Sequence, residues 1–143
     1  MIEKIRTYIA TCPFLDQFSE LNVEYLVDRI NAYSINEGVS YNPVLSKDIL
    51  GNEDCQFQFT FDARLFWNDE IANNVDNSKF FENFREWLRN NDKNKIFPQI
   101  EGVQVESISA VTNGYLFATN SDEAIYRISC VMKYWRSNET NNC

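Results

Sequence analysis

The sequence contains no histidine. Without an imidazole, the usual proton shuttle near neutral pH and the commonest zinc ligand are both missing, and no Ser-His-Asp triad can be built. Glycine occurs only four times in 143 residues, and GxGxxG, GxxxxGK[ST] and GxSxG are all absent. Neither a phosphate-cradling loop nor a nucleophile elbow is therefore legible. Basic residues are also few, 13 Lys and Arg against 21 Asp and Glu for a net charge of −8, and they are scattered. Nucleic-acid binding needs clustered cations, so it is not expected as the main task. No apolar run approaches a membrane span, and the start, Met-Ile-Glu-Lys-Ile-Arg, lacks the charged n-region and apolar h-region of a signal peptide. A soluble intracellular protein without membrane contact is the expectation.

The chain is well supplied with core-forming residues. Hydrophobic residues make up 44%, with eleven Phe, seven Tyr and three Trp, enough for one globular domain over residues 1–136. The polar, Asn-rich segment 137–143 is expected to be a disordered tail. Four cysteines, Cys12, Cys55, Cys130 and Cys143, stand at wide spacing without a CxxC and read as free thiols. The acidic pairs Glu53-Asp54, Asp69-Glu70 and Asp122-Glu123 fall in expected loops or strand ends, where carboxylates are usually solvated rather than convergent. Ser34, Ser40, Ser107 and Ser109 have no histidine to activate them. No catalytic, cofactor-binding or metal-ligating residue is assigned, and no cofactor is expected.

Apolar periodicity outlines the elements. Ile2, Ile5 and Ile9 recur at helical spacing until Pro13. Val23, Tyr25 and Val27 alternate as a brief strand, residues 29–35 read as extended, and Pro43 to Leu50 reads as a loop or edge strand. The clearest signal is Cys55 to Leu65, where Cys55, Phe57, Phe59, Phe61, Ala63 and Leu65 alternate with Gln56, Gln58, Thr60, Asp62 and Arg64. That pattern predicts a long strand with one buried and one wet face. An Asn-rich loop over 68–77 is expected to lead to Asn77 or Ser78 as the cap of an amphipathic helix ending near Asn91, with Phe80, Phe81, Phe84, Trp87 and Leu88 inward. Beyond it, Asn113-Gly114 predicts a hairpin turn between a strand over 103–111 and one over 115–119. A long strand, Ala124 to Arg136, closes the domain, with Tyr126, Ile128, Cys130, Met132 and Tyr134 on one face. The fold class is α+β: a twisted, mainly antiparallel sheet with an N-terminal helix and one amphipathic helix packed on one face.

Such a sheet exposes edges, and the sequence offers few Lys, Pro or other guards along them. Association into an oligomer would cover the edges, and Trp67, Tyr134 and Trp135 at strand ends are the candidate interface residues.

The stretches MIEKIRTYIATCPFL, INAYSINEGVSYNPVL, CQFQFTFDAR, FFENFREWL and GYLFATNSDEAIYRISCVMKYW together resemble minor capsid and tail-completion proteins of tailed bacteriophages and prophages of Gram-positive hosts, a group related to tail terminators. The resemblance spans residues 1–136 and rests on the order of elements and on aromatic positions. It implies a tail terminator-like subunit in a homo-oligomeric, hexameric ring, with tail-tube and head-tail connector proteins as partners. It also implies a virion protein, assembled in the host cytoplasm, with no enzyme activity. In such a ring the wet strand face of Gln56, Gln58, Thr60 and Asp62 is the candidate lumen face, where an acidic subunit would repel passing DNA. A small acidic phage-encoded binding or inhibitor module is the alternative, although the mixed charges of Lys79, Glu82, Arg85, Glu86 and Arg89 argue against nucleic-acid mimicry. Metal analysis of the purified protein is expected to find no stoichiometric zinc, and titration of the denatured, unreduced protein to find four thiols. Bound zinc, or two thiols or fewer, would contradict this reading.

Overall fold

A computed structural model describes residues 1–15, 21–26, 32–38, 43–66, 71–119 and 123–138. In chain order the elements are α1 (Ile2–Ile9), β1 (Leu21–Val23), β2 (Ala32–Glu37), β3 (Val44–Lys47), β4 (Glu53–Phe66), α2 (Ile71–Lys93), β5 (Val103–Ala110), β6 (Tyr115–Thr119) and β7 (Glu123–Arg136). The architecture is α+β, with seven strands in one mixed sheet and both helices packed on one face of it.

β4 and β7, 14 residues each, form the centre of the sheet. They pair antiparallel from Glu53↔Arg136 to Phe66↔Glu123 without a break. Period-two alternation fixes this register, since a slip of one residue would turn every core side chain to the other face. Each long strand then carries two short ones end to end along its outer edge. β2 and β3 lie on β4, while β5 and β6 lie on β7, all antiparallel. β1 adds the sole parallel pairing described, on β2. The strand expected to run through Tyr25 stops at Val23 because Glu24 turns left-handed, with φ 55°, and Val27 lies outside the described residues.

The core is largely aromatic. Phe61 stacks on Phe84 of α2 with ring centroids 4.6 Å apart and on Tyr33 of β2 at 5.6 Å, and Trp87 meets Tyr8 of α1 at 5.3 Å. Phe59 and Phe61 are fully buried, whereas Phe57 sits half-buried at the rim. Tyr8 also joins the two helices: its hydroxyl donates to the Ile96 carbonyl at 2.9 Å and accepts from Asn91 Nδ2 at 3.0 Å. Burial pushes its pKa up to about 12. α2 ends in a left-handed cap, with Lys95 at φ 57° and the Ile96 N–H bonded to the Asn91 carbonyl.

Two sequence expectations fail here for identifiable reasons. The segment expected as a loop over 68–77 is helical from Ile71. Its Asn and Asp residues are poor helix formers, but extending an existing helix costs far less than nucleating one, and the aromatic stripe beyond Ser78 holds that helix in place. Asn77 is therefore inside the helix, and its side chain donates to the Phe66 carbonyl at 2.9 Å. Asn113-Gly114 is not a hairpin turn either, because β5 and β6 run in the same direction along β7. Neither residue has a positive φ. Gly114 serves close packing instead: a Cβ there would clash with the Phe81 ring. Val111 N–H bonds to the Ser129 carbonyl and Ser129 N–H to Thr112 Oγ1, which stitches the break to β7.

In urea denaturation, Phe59→Ala and Phe61→Ala are expected to cost ~3–5 kcal/mol each, Phe57→Ala about half as much, and Gln58→Ala under ~0.5 kcal/mol. Equal losses at Phe59 and Gln58 would show that β4 is buried on both faces.

Candidate functional site

The register places Gln56, Gln58, Thr60 and Asp62 together on the sheet face opposite the helices. Beside them lie Ser34 and Asn36 of β2 and Arg127, Ser129, Val131, Lys133 and Trp135 of β7. Among the described residues neither helix covers this face. Gln56, Gln58 and Thr60 are half-buried, as a pleated surface flanked by neighbours dictates.

Asp62 departs from the expected wet position, for it is only 4% exposed. Its carboxylate takes a two-pronged bond from the Arg127 guanidinium, at 2.8 Å from Nε and 2.9 Å from Nη2, and a third bond from Asn36 Nδ2 at 2.9 Å. These bonds neutralise the carboxylate, so it offers no free negative charge to a passing polyanion. The Asp62 partnership also pushes the Arg127 pKa up. On its far side the guanidinium lies 3.8 Å from the centre of the Phe117 ring, a cation–π contact. Phe117 is the residue skipped by the β6–β7 register, so the bulge turns its ring toward Arg127.

On the same face Arg64 meets Glu123 at 3.3 Å, while Arg136 meets Glu53 at 2.8 Å on the face that carries the helices. Glu106, the residue skipped by the β5–β7 register, stands by Asp54 and Lys133. Burial raises its pKa, and the Asp54 carboxyl adds to the rise while Lys133 opposes it. A groove of about 490 Å³ runs between α2 and β5, lined by Glu82, Arg85, Glu86 and Arg89 among others. Its polar groups mostly engage one another or nearby backbone: Arg85 bonds Asn113, Arg89 meets Glu86 at 3.7 Å, and Asp92 accepts the Ile108 N–H at 3.0 Å. Among the described residues, no three of Asp, Glu or Cys come together as metal ligands. Cys12, Cys55 and Cys130 are buried free thiols whose pKa values burial raises, and Cys143 lies outside the described residues.

The aromatic candidates separate. Tyr134 is no surface anchor: it points into the core, 7% exposed, because it shares the face of Ile128 and Met132. Trp135 is half-buried at one end of the open face, in register with Asp54 and Gln104. Trp67 lies outside the described residues. The sheet edges are better guarded than expected, since β3, β5 and β6 each contain a bulge. The residues at the bulges differ in kind: Glu106 is charged, whereas Leu45 and Phe117 are exposed and apolar. The first two residues of the expected disordered tail are placed as well, with Asn138 donating its backbone N–H to Asn52 Oδ1 at 2.9 Å.

Sequence reasoning did not find the Asp62–Arg127–Asn36 network, which unites three strands and becomes visible only through their register. No family model matches the sequence, and no curated protein matches it either.

Asp62→Ala is expected to cost about 3 kcal/mol in urea denaturation, because it removes the carboxylate that compensates the part-buried Arg127 guanidinium and accepts the shortest bond of Asn36. Replacing Asp62 and Arg127 together by Leu and Met should cost less than Asp62→Ala alone. Additive losses would show that the two groups do not interact.

Proposed function

We propose that this chain is a structural subunit of a tailed-phage particle, of the tail terminator or tail-completion type, working as part of a hexameric ring. The observation that carries the proposal is a sheet face that, among the described residues, neither helix covers, with Gln56, Gln58, Thr60 and the Asp62–Arg127 and Arg64–Glu123 pairs at its centre. An enzyme or specific receptor needs groups that converge on a ligand; a wall needs an even surface. With Gln56, Gln58 and Thr60 uncharged and Arg127 and Arg64 occupied by carboxylates, a polyanion would find few free cations to grip. DNA passage would thus depend on weak attraction rather than on the repulsion expected from the net charge. The sequence resemblance to phage tail-completion proteins supports the same assignment, with tail-tube and head-tail connector proteins as neighbours. Trp135, half-buried beside the open face, is the candidate contact to them or to a second copy.

The test is genetic. Disrupting the gene in the phage or prophage that carries it is expected to leave heads and tails unjoined in electron micrographs of the lysate, with infectivity restored by the intact gene in trans. Normal, infectious particles from the disrupted phage would refute the proposal.

A further inference from the structure

Asn113-Gly114 does not form the turn that its composition suggests, and it is the one place in the sequence where Gly follows Asn. Its surroundings give it a different chemistry. Asn113 is exposed, in the break between β5 and β6. The chain is held on both sides of it, since Val111 and Thr112 are bonded to Ser129 of β7 and Gly114 lies against the Phe81 ring of α2. Between these anchors the Gly114 N–H stands outside the strand ladders, and among the described residues it meets no hydrogen-bond acceptor. A main-chain nitrogen that is neither committed to a ladder nor screened by a Cβ on its own residue is open to reaction with the side chain before it.

That side chain is prepared for attack. Arg85 Nη1 of α2 donates to Asn113 Oδ1. A guanidinium on this oxygen draws electrons away from the amide carbon Cγ, and it stabilises the negative charge that gathers on the oxygen when a nucleophile adds. Three atoms of the chain separate Gly114 N from Asn113 Cγ, so their union closes an unstrained five-membered ring. Nucleophile, electrophile and stabilising cation thus stand together at one exposed point of the surface.

We propose that Asn113 is a self-modification site, at which the Gly114 nitrogen displaces the side-chain amide with the help of Arg85. The bond from Gly114 N to Cγ forms and the Cγ–Nδ2 bond breaks; the Gly114 nitrogen gives up its proton, and Nδ2 leaves as ammonia. Nothing is oxidised or reduced. Water then opens the cyclic imide at either of its carbonyl carbons. Opening at Cγ restores the ordinary main chain with an aspartate at position 113, whose new carboxylate faces the Arg85 guanidinium. Opening at the main-chain carbonyl leaves Gly114 joined through Cγ, an isoaspartyl link. That link adds a carbon to the main chain just where Gly114 packs on Phe81 and β6 begins, so it works against the β6–β7 pairing. Either product adds one negative charge to the chain's −8.

Incubation of the folded full-length chain at mildly alkaline pH tests the proposal, with mass spectrometry of its proteolytic fragments. Asn113 is expected to lose ammonia ahead of every other asparagine. Hydroxylamine, which intercepts cyclic imides, is expected to cut the folded chain between Asn113 and Gly114. Arg85→Ala should slow both reactions about tenfold, less than a buried donor would give, because Arg85 is exposed. Arg85→Lys, which keeps the charge, should restore most of the rate. Far-UV circular dichroism checks that both variants fold. An Asn113 that stays intact in the folded chain would overturn the proposal, as would a rate that Arg85→Ala leaves unchanged or raises, or equal slowing by Arg85→Ala and Arg85→Lys.

Discussion

Everything in this fold hangs on the uninterrupted pairing of β4 with β7. An antiparallel ladder of this length spans roughly 45 Å, and no other element could reach its place without it. The short strands are laid along its two edges, both helices are laid on one of its faces, and the aromatic stack Tyr33–Phe61–Phe84 is centred on it. The register decides which residues meet in the Asp62–Arg127 pair as strictly as it decides the core. Stability and surface chemistry thus have one origin, and a mutation that shifts the register would lose both.

The face opposite the helices shows what the protein does with polar residues. A bare sheet face could expose its backbone neighbours to competing solvent and its charges to any passing ion. Here Asp62 and Glu123 are matched with guanidinium groups across strands, and Asn36 adds a third bond to Asp62. Such a face is chemically quiet. Apolar exposure is displaced to the corners, where a braced turn between β3 and β4 and an uncharged edge strand present their side chains.

Much of this was legible in the sequence, and the limits are physical. Period-two alternation from Cys55 and the Phe80–Leu88 stripe located β4 and the packed part of α2, because each repeats a pattern set by its own backbone geometry. Neighbour relations were not legible. Asn113-Gly114 has the composition of a hairpin turn, yet 115–119 continues along β7 instead of turning back on β5, a choice of neighbour that turn composition does not encode. The bulges at Leu45, Glu106 and Phe117 leave no local trace, since each is a mismatch between two strands rather than a property of one. The candidate lumen residues were correctly placed on one face, but the neutralisation of Asp62 needed a partner 65 positions away.

The contact between Phe81 and Gly114 carries one more implication. The space at position 114 is filled by a ring that belongs to a different element, so the two sites share one volume. A methyl group added at 114 would have to be matched by material removed at 81, and a smaller side chain at 81 would leave room that 114 could take up. Among descendants of this sequence the pair should therefore drift together, with the sum of their side-chain volumes held nearly fixed while each varies. A glycine that looks like punctuation in the sequence is, in this molecule, half of a packing partnership.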